Sequence, residues 1–548
     1  MILGISRARA DHWRAAGVRL AACVLAAAVV LPAGVSYAAE SQPPAPTLSR
    51  ARPYFASAQK ALAAGDPATA VEKLHQAVQA DPKFAPAYLL LGLTEFQRGD
   101  MAKAIEHYRR ALELQPRSFS GHYNLALAYL RDHQLEEGRA QLEQAVKLNP
   151  NQPDAAYDLG IVLLELKQPA AALPHLIQAR KLNPRRPDAA FNIVRAELEA
   201  GRIDEARTEA QAAAKRLSAD FQWNAALGQL FLKNAQPRDA ATYFLSASRV
   251  RPDDIEIRHQ LGLAYLASGQ ASQVLDLIAE PKTADDHYLR GSAFYLAHRF
   301  PEADRESEQA LALAPDNPQF LVLRTRILQR AGEQNAAVEV AQKAIALAPQ
   351  WDEPYYLAGV SLYFIRRYAE AEHNLARAAE LNPNSARTLF LEAVALVSQD
   401  KHAEAEQCFR RAIALDPNNA RFRCHLGIFL MRQNKYPEAE ESFRKAIELK
   451  PAYGLSHYEL GMLLVHSERW KEAADELSQA VTRDPTLGPA YYQLARLYSR
   501  LGEAEKSKLM FAEFKKLSQQ QETDDARAAD QAAADRARDE DTRRETEF

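Results

Sequence analysis

Ala439-Glu440-Glu441-Ser442-Phe443-Arg444-Lys445-Ala446-Ile447-Glu448-Leu449-Lys450-Pro451 reads as a helix that stops at a proline. Its small residues, Ala439 and Ala446, are seven apart, and Pro451 falls where the helix cannot continue. Working back to Ala420, Gly427 is the eighth residue of a unit that closes at Tyr453, Ala439 the twentieth, Ala446 the twenty-seventh and Pro451 the thirty-second. The same register returns in Gly92, Ala104, Ala111 and Pro116, in Gly160, Ala172, Ala179 and Pro184, and in Gly461, Ala473, Ala480 and Pro485. The prolines keep a step of 34 residues through Pro82, Pro116, Pro150 and Pro184, and again from Pro315 through Pro349, Pro383, Pro417 and Pro451 to Pro485. Two antiparallel helices approach closely only where Gly or Ala leaves room, and larger residues such as Leu426, Leu430 and Phe443 then fill the space around the contact.

A fixed period of this length means one supersecondary unit repeated into a solenoid, because each unit exposes an apolar face that only its neighbour can cover. The pattern resembles the tetratricopeptide repeat family, whose helix-turn-helix unit has small residues at places 8, 20 and 27 and large ones at 4, 7, 11 and 24. The resemblance covers roughly residues 51–517. It implies an all-α, right-handed superhelical solenoid of about fourteen helix-turn-helix units, with a long binding surface in place of a catalytic pocket. Two departures stand out. Ser218 occupies a proline place, but Ala206 and Ala213 keep their register, so this unit reads as an ordinary repeat. Between Pro252 and Pro281 the first helix is intact through Leu261, Gly262 and Tyr265, while the second, around Val274 to Ala279, is cut short. Residues 255–283 therefore read either as a joint between arms at 51–254 and 284–517, the latter ending in a capping repeat, or as a shorter loop absorbed without a bend.

The ends differ in kind. Arg7, Arg9, Arg14 and Arg19 precede an apolar run from Leu20 to Leu31, followed by Ser36-Tyr37-Ala38. Residues 1–38 read as a secretory signal cleaved after Ala38, with an uncleaved anchor in an inner membrane, facing a periplasm, as the alternative. Leu20-Ala21-Ala22-Cys23 has the look of a lipoprotein box, but the apolar core lies after the cysteine and Arg19 just before it, which argues against lipidation. Residues 39–50, with Pro43, Pro44 and Pro46, read as an extended linker. The first 38 residues carry four arginines against Asp11, a balance of +3, so with a total of −3 the rest of the chain is near −6. Ten acidic and five basic residues from Ser518 to Phe548 hold nearly all of that excess. This tail, 518–548, reads as a solvated, disordered or partly helical extension. Nothing in the balance suggests nucleic-acid binding.

Beyond the leader only Cys408 and Cys424 remain, on different helices, so two unpaired thiols are favoured over a disulfide. The absence of any Asn-x-Ser/Thr sequon favours a bacterial periplasm over a eukaryotic lumen. No phosphate loop, dinucleotide fingerprint, HExxH or nucleophile elbow occurs, and no cofactor or metal is expected. His122, His287 and His457 take the fourth place of their repeats, a packing place.

Places 5, 9 and 12 of each first helix share one face, and the resemblance assigns that face to a concave groove. Place 5 is aromatic at Phe55, Tyr123, Tyr157, Phe191, Tyr288, Tyr356, Phe390, Tyr458 and Tyr492, and place 9 is mostly aliphatic. Arg432, Arg496 and Arg500 join the face toward the C-terminal end, and Arg326 and Arg330 near the middle. Such a stripe suits an extended peptide or a partner helix, although tyrosine at place 5 also serves packing between neighbours. The carboxylate clamp of chaperone-binding relatives requires Lys at place 5 and Asn at places 6 and 9, so it is not carried over. The chain is expected to be a non-enzymatic interaction scaffold for peptides or partner proteins in cell-envelope assembly. The alternative is the repeat component of an exopolysaccharide or secretion complex at a membrane.

Overall fold

The computed structural model describes residues 50–184, 186–520 and 522–523. The proposed leader 1–38, all of the linker except Arg50, and the tail beyond residue 523 lie outside them. Among the described residues there is helix and no strand. Helices pair in chain order, from Arg52–Ala63 with Pro67–Ala80 to Gly488–Arg500 with a last helix at 504–520, giving fourteen hairpins. They fall into two compact units, Met1–Glu280 and Pro281–Phe548, each with seven hairpins.

The hairpin of Ala420–Arg432 and Tyr436–Leu449 shows how the sequence builds one. The Asn419 side chain accepts a hydrogen bond from the Phe422 amide at 3.3 Å and so caps the first helix. That helix buries Leu426, Gly427 and Leu430 against Ala439, Phe443 and Ala446 of the second. Gly427 is required by proximity, since a Cβ there would lie 2.6 Å from the Phe443 ring. The same clash, at 2.5–2.7 Å, pairs Gly92 with Tyr108, Gly160 with Leu176, Gly228 with Phe244, Gly359 with Leu375 and Gly461 with Leu477. In these six repeats a glycine at place 8 thus faces a large residue at place 24 of the same repeat. The second helix ends at Leu449, the Lys450 amide still reaching Ala446 O, and Pro451 follows.

The turn inside every hairpin uses one left-handed residue, at place 15. Gly65, Gly99, Gly201, Gly269, Gly332 and Gly502 fill it at φ 76–88°, and His133, Lys167, Ala235, His298, Arg366, Asp400, Asn434 and Glu468 fill it at φ 56–63°. The following amide then bonds back to the first helix, as Lys435 N does to Leu430 O at 3.0 Å.

At Ser218 the missing proline lets the second helix, Ile203–Leu217, run to 15 residues instead of the 14 typical of its neighbours. Ala206, Ala210 and Ala213 are buried there in the expected register. The second helix of the first unit's last hairpin, Ala271–Leu277, has only seven residues. In the second unit the first helix, Ala284–Leu296, opens on a capping box in which Thr283 Oγ1 accepts from the Asp286 amide and Asp286 accepts from the Thr283 amide. The core is a file of local clusters, among them Ala126 to Ala196 and Ala190 to Ala264 in the first unit and Ala379 to Leu497 in the second. Such an array couples mainly through nearest neighbours.

Candidate binding groove

Most of the aromatics of place 5 are spent between repeats, reaching the next first helix along the chain. In the first unit the Tyr123 hydroxyl donates to Asp158 Oδ2 at 2.7 Å. Burial raises the Tyr123 hydroxyl above its ordinary value and pushes the Asp158 carboxyl up to about 6. Tyr157 is fully buried, lies under the Arg186 guanidinium at 3.8 Å, and accepts a bond from Asn192 Nδ2 at 3.0 Å. Phe191 meets Trp223 edge-on at 6.0 Å.

In the second unit Tyr288 stacks on Phe320 at 5.1 Å, and Phe390, itself buried, stacks on Phe422 at 4.7 Å. Tyr356 lies under the Arg387 guanidinium at 4.2 Å. Tyr458 is half-buried against the main cluster of that unit. Tyr492 is 38% exposed and contacts Phe511 and Phe514 of the last helix, with the Arg496 guanidinium 5.8 Å from its ring. Arg500 covers Trp470 at 3.8 Å. Arg432 is exposed and opposes the burial that raises the Glu459 carboxyl. The proposed groove residues thus divide between the units. Phe55, Tyr123, Tyr157 and Phe191 belong to the first, and Tyr288, Tyr356, Phe390, Tyr458, Tyr492 and the arginines to the second.

What the spacing of place 5 did not reveal is an ionic cluster built mainly from place 2. Glu353, only 9% exposed, accepts from Arg326 Nη2 at 2.8 Å and from Arg387 Nη2. Glu353, Arg387 and Arg421 are successive residues of one register, 34 apart, so the signal lay in the sequence. Burial raises the Tyr356 hydroxyl while Arg387, Arg421 and Arg326 pull it back, which puts three guanidiniums within electrostatic reach of one ring.

The place-4 histidines are bound within the repeats. His122 Nδ1 lies 2.7 Å from Gln141 Oε1, His457 Nδ1 2.7 Å from Glu476 and His287 Nδ1 2.7 Å from Glu306. Cys408 and Cys424 are free, buried thiols, and burial pushes both up to about 12, far from the reactive thiolate. Among the described residues no group of three His, Cys, Asp or Glu is arranged to hold a metal, and no helix is long and apolar enough to cross a membrane.

Family models agree with the register. One described as TPR repeat matches residues 92–132. Models described as Tetratricopeptide repeat match 123–175, 157–220, 356–420 and 426–487, then 408–441, and 488–521. A comparison with curated proteins finds no match. Among solved structures, the APC/C hetero-tetramer Cut9-Hcn1 is 15% identical over 82% of this chain and 96% of that one, with a TM-score of 0.42. Yeast Tom70 is 17% identical over 80% and 92%, with a TM-score of 0.34. YrrB, a TPR protein with an unusual peptide-binding site, is 23% identical over 34% and 97%, with a TM-score of 0.31. At these identities and TM-scores the likeness says nothing about what this chain binds.

Proposed function

Because the chain belongs to the tetratricopeptide repeat family, whose repeats generally mediate protein–protein interaction, we propose that it is a non-enzymatic scaffold holding peptides or partner proteins on the first-helix face of its repeats. The observation that carries this reading is the composition of that face in the second unit, where Arg421, Arg432, Arg496, Arg500 and Tyr492 all stand exposed beside packed aromatics. Arginine and tyrosine are the side chains that most often anchor a protein partner. A photoreactive amino acid placed at Arg432 or Arg496 should cross-link one common partner in cells. The same probe at exposed Glu441 or Lys445, on the second helix of a repeat, should not. Equal capture at both pairs of places would move the binding surface off the first helices.

The setting we propose is the bacterial cell envelope, on the strength of Arg7 to Arg19, the Leu20 to Leu31 run and Ser36-Tyr37-Ala38. The protein in an envelope fraction is expected to begin at Ala39 or within a residue or two of it on N-terminal sequencing. Intact Met1 protein in the cytosol would defeat this setting while leaving the scaffold reading in place.

A further inference from the structure

The first and last hairpins present different outer faces. On the first helix, Arg52–Ala63, Pro53, Ser57 and Lys60 stand exposed at places 3, 7 and 10, where the next first helix buries Ala87, Leu91 and Thr94. A polar face of this kind can end an array in water. The last hairpin ends on aromatic rings instead. Tyr492 at place 5 and Phe511 at place 24 meet edge-on at 5.9 Å and are 38% and 39% exposed. Three repeats earlier Phe390 and Phe409 hold the same two places, also meet edge-on at 5.9 Å, and are only 4% and 2% exposed. They are covered by the next first helix, Ala420–Arg432, whose Phe422 stacks on Phe390 at 4.7 Å and whose Phe429 ring lies 5.8 Å from that of Phe409. Among the described residues no hairpin follows the last one, so its aromatic pair has no such cover.

The face itself specifies the cover. Phe514 stands at place 27, where Ala446 and Ala480 are fully buried in the two preceding repeats, and its ring lies 5.3 Å from that of Tyr492. A third ring fills space that an ordinary first helix uses, so whatever lies here must present small side chains. Residues 488–520 also hold six basic residues against three acidic ones. Glu503, Glu505 and Glu513 each pair with a lysine of the last helix, while Arg496, Arg500 and Lys515 have no carboxylate partner among the described residues. The cover should therefore be acidic.

Both requirements are met by the chain that follows. Residues 524–548 carry nine acidic and five basic residues. Ala526, Ala529 and Ala533, with Ala528 and Ala532 beside them, share one side of a helical register, and Arg527 and Gln531 lie on the other. The connection is short, since Thr523 Oγ1 still bonds to Gln519 O at 2.8 Å at the end of the last helix. From there back to Phe511 is less than about 20 Å of helix, a span that a returning helix of about 13 residues covers. A second copy suits the face less well. Its first helix would offer Ser57 and Lys60, and its own last hairpin would set like charges together.

We infer that residues 524–548 dock back on the last hairpin, laying the alanine side of the tail over Tyr492, Phe511 and Phe514 with its carboxylates beside Arg496 and Lys515. The docked tail covers Tyr492 and leaves Arg432 open, so a probe at Arg432 decides the scaffold reading independently.

The test uses the full chain with a photoreactive benzoylphenylalanine at Lys515, which is exposed and one turn from Phe511 on the same side of its helix. Lys515 is at place 28, where Leu112 in an earlier repeat faces Gly121 of the next first helix. The comparison probe is at Lys516, exposed on another side. At about 1 μM protein, far below the effective concentration of a tethered segment, irradiation should join residue 515 to a peptide of 524–548 within one chain. The yield should exceed that from residue 516 by at least about fivefold. Ala529→Gln with Ala533→Gln bulks the alanine side without changing charge. This double variant should remove the cross-link and speed hydrogen exchange across residues 504–520 by at least about fivefold. Gln531→Met, on the opposite side, should do neither. Equal tail cross-linking from both probes, or a cross-link that survives the double glutamine variant, would overturn the inference. Cross-links from residue 515 to a second chain would overturn it in favour of self-association through this face. No cross-link beyond residue 523 would overturn it as well, and would leave the aromatic end face open to solvent.

Discussion

Phe443→Ala is expected to destabilise its hairpin by about 3–5 kcal/mol. Phe443 is fully buried and sits where Gly427 lets the first helix of its hairpin come close, 2.6 Å from the position a Cβ would take. Removing the ring loses its burial and leaves a void that two helices already in contact cannot close. Gly427→Leu attacks the same contact from the other side by overpacking, at roughly 1–3 kcal/mol, as does Ala439→Phe at the fully buried Ala439. Because the repeats couple to nearest neighbours, hydrogen exchange should show protection lost first across residues 386–487. The hairpins of the first unit should keep theirs. Uniform loss along the chain would mean that the array folds as one block and that the local clusters are not separable.

The period was legible because some contacts demand a particular kind of side chain. A glycine or alanine at places 8, 20 and 27 is imposed by helix proximity, and a proline at place 32 by the end of a helix, so both leave chemical traces in the sequence. Place 15 is just as strictly used and yet invisible. Its requirement is a backbone angle, which L-residues meet at a cost of about 1–2 kcal/mol. His133, Lys167, Ala235 and Arg366 therefore serve beside Gly99 and Gly332, with no shared chemistry to read. The groove was half legible for a related reason. Spacing put Tyr356 and Phe390 on one helical face, but it did not say that the following repeat would cover them. Phe390 is stacked on Phe422, and Tyr356 lies beneath Arg387. The cluster around Glu353 needed the three-dimensional neighbour, since Arg326 is at place 9 of one repeat and Arg387 at place 2 of another.

Glu197→Gln should stabilise the first unit at pH 8 and do much less at pH 5. Glu197 lies on the helix Pro187–Glu199, and its Oε2 is buried without a hydrogen-bond partner. Burial is the main reason its carboxyl is pushed up to about 7, from 4.5, and the charges of Glu209 and Glu205 on the following helix add to it. Arg180 and Arg202 pull the other way, but Arg180 is already paired with Glu209. A folded-state value above the unfolded one means that the folded chain holds the extra proton. This contribution to stability is fully present below about 4.5 and is lost as pH rises through about 7. At pH 8 the native protein therefore carries a half-buried, repelled carboxylate that the unfolded chain would hydrate freely. Glutamine keeps the shape and removes the charge. Discounted for partial exposure, the gain is about 1–2 kcal/mol at pH 8, seen as a higher urea midpoint for unfolding of the first unit. At pH 5, where the folded wild-type residue is already protonated, the two midpoints should converge. A glutamine variant less stable than wild type at pH 8 would show that Glu197 is held ionised by a cation, and that the charge is part of how these two helices pack.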